Sequence, residues 1–166
     1  MYKYILDTNI FIKMKNDMFP IAQFPEVWVE MLRRFDCGVL YSIDTVYNEL
    51  QCYADELNTW TQTNRKIFTK FESECFGAMK ALTEWAMSSN FKDDAKQKFL
   101  SDADSTVIAY AMTHNMTVVT QEKPSLSLKK IMMPNACKQM RVECINLFDL
   151  LKQWDVRVVF PSATQS

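Results

Sequence analysis

Hydrophobic positions along the chain change period several times, and each change predicts an element. YKYIL at 2–6 and TVVT at 117–120 are short apolar or β-branched runs bounded by polar residues, the pattern of buried strands. VLYS at 39–42 and VECIN at 142–146 are read the same way. Residues 25–36 predict a helix that Pro25 can open and Gly38 can stop. Val46, Leu50, Tyr53 and Leu57 make one stripe of a helix over 44–57. The stretch 61–89 is helical in period with a polar face, and KDDAKQK follows as a charged turn. Further helices are predicted over 104–114, through PNACKQMR at 134–141 and through LFDLLKQW at 147–154. Strands alternating with helices indicate an α/β domain with a mostly parallel sheet. Ligands of such folds bind beyond the carboxyl ends of the strands.

Length and composition agree with one core. The chain has 166 residues, of which 48% are apolar, enough for a single domain over 1–155 with a C-terminal tail at 156–166. No apolar run reaches the roughly 18 residues of a membrane span, and MYKYILDTN has no signal-peptide pattern. A cytoplasmic protein is expected, with no membrane partner. The five cysteines, Cys37, Cys52, Cys75, Cys137 and Cys144, are odd in number and lack a CxxC pair. They read as reduced, packed thiols. The two glycines cannot build a phosphate loop. The single histidine, His114, excludes a His-rich zinc site and falls where a helix meets a strand, so a dipole-favoured C-terminal histidine is expected.

Net charge is −1 but unevenly spread. Residues 1–122 hold 12 Lys/Arg against 17 Asp/Glu, and residues 123–166 hold 7 against 3. Lys123, Lys129, Lys130, Lys138 and Arg141 form a basic stretch suited either to solvent or to phosphates beside a metal site.

Candidate chemistry lies with the acids. YKYIL runs into Asp7, and TVVT runs into Gln121 and Glu122. Glu49 falls roughly 60° off the stripe through Val46, on its border. Asp104 falls between Val107 and Ile108 on the helical wheel, an expensive place for an unpartnered carboxylate, whereas Asp102 falls opposite and is assigned to capping. Each acid alone has a plain alternative as a cap or a solvated charge. Gathered together, they would repel until protonated or neutralised by a cation. Oxygen-only ligands select Mg²⁺ or Mn²⁺, ions suited to phosphodiester hydrolysis.

YILDTNIFI, SIDTVYNEL and DADSTVIAYAMTHNMTVVTQE, in that order, resemble the successive motifs of PIN-domain ribonucleases, a superfamily that includes VapC-type toxins of bacterial toxin–antitoxin pairs. PNACKQMRVECINLFDLL resembles one PIN-like bacterial subfamily, and the likeness runs over about residues 1–151. It implies a three-layer α/β/α sandwich around a short, mostly parallel sheet, and a PIN-like nuclease that hydrolyses RNA with Mg²⁺ or Mn²⁺. It carries the metal-binding acids onto Asp7, Glu49 and Asp104, and supporting hydrogen bonds onto Thr8, Asn9 and Thr120. Glu122 stands where many members have Asp. The partners implied are RNA, a cognate antitoxin and a second copy of the chain. Two other functions remain open at this point. One is a non-catalytic RNA- or protein-binding domain on the same fold. The other is a phosphatase with Asp7 as nucleophile, against which Asn9 stands where the second aspartate is usual.

Overall fold

The computed structural model describes residues 2–155. The tail expected at 156–166 lies outside them. Among the described residues, five strands, β1 (Tyr4–Leu6), β2 (Leu40–Ile43), β3 (Phe68–Thr69), β4 (Thr117–Val119) and β5 (Cys144–Ile145), form one sheet in the order β3-β2-β1-β4-β5. Every pairing is parallel, with Ile5 opposite both Tyr41 and Val118, and Val118 opposite Cys144. The chain builds outward from β1 to β2 and β3, then crosses to β4 on the other side of β1. A topological switch point therefore lies at the carboxyl ends of β1 and β4.

The helices are α1 (Thr8–Lys13), α2 (Pro25–Asp36), α3 (Asp44–Leu50), α4 (Glu56–Thr63), α5 (Phe76–Ser88), α6 (Asp93–Ser101), α7 (Ala103–His114), α8 (Met133–Met140) and α9 (Leu147–Gln153). One face of β1 packs under α9 and α2. Tyr4 meets Trp154 edge-on at 6.1 Å, and Leu6 shares an apolar groove with Met31, Leu147 and Leu150. On the other face α7 packs against β1 and β4, with α3, α5, α6 and α8 around it. That position explains why Val107, Ile108, Ala109, Tyr110 and Ala111 are all buried: α7 is covered on every side. Asn115, left-handed at φ 52°, ends α7 and turns the chain into β4. Gly38 does the same after α2 at φ 67°, where a Cβ would also crowd the Tyr41 hydroxyl at 3.2 Å.

Three expected elements differ. The helix over 44–57 stops at Leu50, because Asp55 opens a new helix by accepting from Leu57 N (3.0 Å) and Asn58 N (3.2 Å). Tyr53 leaves the stripe for solvent. The stretch 61–89 is interrupted at 65–75 by two 3-10 turns and by the edge strand β3, before α5 resumes. The charged turn KDDAKQK is the greater part of α6, with Asp93 and Asp94 in its first turn and Lys98 in its last, in accord with the helix dipole. The other predicted strands and helices fall within a residue or two of their expected places, β5 being shorter.

Candidate active site

β1 ends at Leu6 and β4 at Val119, side by side, and Asp7 N donates to Val119 O at 3.1 Å. Asp7 thus enters the site directly off a core strand. It is buried, and both its oxygens are engaged. Oδ1 accepts from Thr8 N at 2.6 Å, capping α1, and Oδ2 accepts from the Thr120 hydroxyl at 3.0 Å. That hydroxyl also accepts from Asn9 Nδ2 (3.0 Å) and Glu122 N (3.2 Å), while Asn9 Oδ1 accepts from Gln121 N at 2.9 Å. Asn9 and Thr120 therefore clamp the segment after β4 to the start of α1. All the supporting residues expected at this edge are brought together.

Glu49 reaches across from α3. Its Oε2 accepts from the Thr8 hydroxyl, and its Oε1 accepts from Ala103 N at 2.9 Å, the first amide of α7. The carboxylate that caps α7 is therefore Glu49 and not Asp102. Asp102 has extended dihedrals (φ −84°, ψ 165°) just before the helix, so the wheel never applied to it, and its side chain pairs with Lys98 at 2.8 Å. Asp104, in the first turn, faces inward as expected, and no side-chain hydrogen bond reaches its carboxylate among the described residues. Glu122 lies beyond β4. Its Oε1 accepts from Lys130 Nζ at 2.5 Å and its Oε2 from Met133 N, at the start of α8, at 2.7 Å.

These four acids share one electrostatic environment. Burial, then Asp104 and Glu122, hold the Asp7 carboxyl well above the usual range, against the hydrogen bonds from Thr120 and Thr8. Burial, then Glu122 and Glu49, push Asp104 to about 7, with Lys130 opposing. The charge that would settle these groups is a cation. The donors are oxygens alone, which suits a hard divalent ion. As the side chains stand, however, no three Asp, Glu, His or Cys residues among those described form a ready-made metal cage. Glu49 and Glu122 are turned toward other donors.

The basic stretch divides. Lys129 and Lys130 line a cleft beside Asp104, together with Asp102 and Lys98. Lys123 lines a second cleft with Thr120 and Glu122. Lys138 is exposed on α8, and Arg141 lies with Tyr2, Lys3 and Thr117 at the opposite, amino-terminal edge of the sheet. Lys98 was not foreseen, because its helix read as a turn. Its four-residue spacing to Asp102 was the available signal. His114 ends α7 as expected, away from the acids, beside Glu74 at 3.3 Å and Tyr110 at 4.2 Å.

A family profile described as "Domain of unknown function (DUF4411)" matches residues 4–158. The chain belongs to this family. No curated protein matches it. Among solved structures, this DUF4411 chain is similar to one in the crystal structure of VapBC2 from Rickettsia felis bound to a promoter DNA fragment, with 15% identity, 86% of this chain and 97% of that chain covered, and a TM-score of 0.50. It is also similar to a chain of FitAB bound to the IR36 DNA fragment, with 17% identity, 86% and 94% covered, and a TM-score of 0.52. A chain of FitAcB from Neisseria gonorrhoeae gives 16% identity, 86% and 96% covered, and a TM-score of 0.52. At these identities the likeness is one of fold, and it bears out the PIN-like architecture expected from the three motifs. No helix of the described DUF4411 residues is long and apolar enough to cross a membrane.

Proposed function

We propose that this chain is a Mg²⁺- or Mn²⁺-dependent endoribonuclease and the toxin of a type II toxin–antitoxin pair. The observation that carries the reading is the mutual crowding of Asp7, Asp104, Glu49 and Glu122 at the switch point, with the pKa values of Asp7 and Asp104 both raised above the ordinary carboxylate range. Such groups are poised to exchange protons for a divalent ion. Asp7, Asp104 and Glu49 would hold the ion, with Glu122 beside them. Bound there, it would supply an activated water and stabilise charge on the phosphate. The protein's own part is to fix the acids. Thr120 and Thr8 N orient Asp7, Thr8 orients Glu49, and Glu49 sets the first turn of α7, which carries Asp104. Lys98, Lys129 and Lys130 border the cleft where flanking phosphates would lie.

The pairing with an antitoxin is supported by fold likeness to chains of the VapBC2 and FitAB complexes. The test is cleavage of a labelled RNA by the purified chain. Activity should need Mg²⁺ or Mn²⁺, vanish in EDTA and be lost in Asp7→Asn. Full cleavage after verified metal removal refutes the mechanism. Weak or absent Mn²⁺ binding together with no RNA cleavage would favour a non-catalytic binding domain.

A further inference from the structure

Glu122, like Glu49, has both carboxylate oxygens engaged, but among the described residues it alone of the four acids is paired with an ammonium. Its side chain is 13% exposed, with one oxygen on the Lys130 ammonium and the other on the first amide of α8. Lys130 is 54% exposed, so its flexible stem has room to swing. The chain just after it is anchored, since Ile131 and Met133 are buried. Lys130 also borders the Asp104 cleft, and its charge acts on Asp104 as well as on Glu122.

We propose that Lys130 is a built-in counter-ion that competes with the divalent metal for Glu122. This rests on the metal-site reading above. With the ammonium in place, Glu122 is unavailable and part of the cluster's negative charge is cancelled. A divalent ion entering among Asp7, Asp104 and Glu49 must displace the ammonium to engage Glu122. Its apparent affinity is lowered by the fraction of molecules in which the pair is closed. The displaced lysine stays beside the cleft, where its charge is free for a substrate phosphate. One side chain thus limits metal uptake by the empty protein and adds a phosphate contact once the ion is bound.

The experiment is Mn²⁺ titration of the purified full chain without RNA, followed by calorimetry, with each variant's melting checked in EDTA. Lys130→Gln should bind Mn²⁺ roughly three- to tenfold more tightly, the range expected for losing one half-buried ion pair. Lys129→Gln removes the same charge from the neighbouring position and should change affinity less than about twofold, since screening weakens an unpaired surface charge. In a Glu122→Gln background, Lys130→Gln should have no larger effect than Lys129→Gln, the residual field on Asp104 being all that is left once the direct pair is gone. Equal affinity of Lys130→Gln and the natural chain would overturn the competition and leave the metal site standing. An equal gain in Lys129→Gln would also overturn it, by reducing the effect to a general field. If neither the natural chain nor Lys130→Gln takes up Mn²⁺, the proposal and the metal-site reading fail together.

Discussion

Asp104→Asn is the sharpest test of the site, because it keeps the side chain's shape and removes only its charge. In the folded chain the carboxyl is raised from 3.8 to about 7, by burial first and by Glu122 and Glu49 next. A raised acid pKa means that ionisation opposes folding. The penalty is absent below the unfolded value, grows as pH climbs from about 4, and is complete above about 7. Three units correspond to about 4 kcal/mol, and water at the cleft mouth should reduce this to roughly 2 kcal/mol. For a domain of this length that is a rise in Tm of roughly 4–8 °C. In EDTA at pH 8 the variant should therefore melt above the natural chain. The gap should shrink toward pH 4.5. Saturating Mn²⁺ should reverse the order, because only the natural chain gains the full set of ligands. Cleavage should fall by at least about a hundredfold. Asp102→Asn loses only an i,i+4 pair with Lys98, worth about 0.3–0.5 kcal/mol, and should keep most activity. The reasoning is refuted if Asp104→Asn melts lower than the natural chain at pH 8 in EDTA, or if the gap does not depend on pH.

Glu49→Ala should destabilise the fold by about 1–2 kcal/mol through loss of the α7 cap, whereas Glu49→Gln should keep stability and lose activity; chemical denaturation and RNA cleavage separate the two roles. Thr120→Val leaves Asp7, Asn9 and the Glu122 amide each short of a partner and should cost about 1–3 kcal/mol, while Thr120→Ser should restore most of it. Expression of the chain alone should slow growth, Asp7→Asn should relieve it, and equal toxicity of the mutant would remove the nuclease explanation. In metal-free Asp7→Asn protein, neutralising Lys129 and Lys130 together should flatten the salt dependence of RNA binding by about 0.7–1.4, and Arg141→Gln, at the far edge of the sheet, should leave it unchanged.

What was legible in the sequence follows from how local its physical cause was. Asp7 was legible because a three-residue apolar strand runs straight into it, and β1 could hardly end elsewhere. Asp104 was legible from the α7 period, since a helix buried on all sides leaves a first-turn acid few places to point. Asp102 departs from the wheel because it lies one residue before the helix start, and dihedrals change at a cap without any change in apolar spacing. The interruption at 65–75 was hidden for another reason. Two-residue β3 exists because β2 offers Ser42 and Ile43 as partners, a long-range pairing with no local signature. The link from Glu49 to Ala103 spans 54 positions and could not be read from either motif alone. It nevertheless explains why these motifs must act together. Glu49 both belongs to the acidic cluster and starts the helix that delivers Asp104, so the charge that strains the site also fixes its geometry. A metal that drew Glu49 away from Ala103 N would weaken the cap just where Asp104 needs it, whereas one using the oxygen now held by Thr8 would leave the cap intact. Under the metal-site reading proposed above, the second arrangement is the one that keeps the cap of α7.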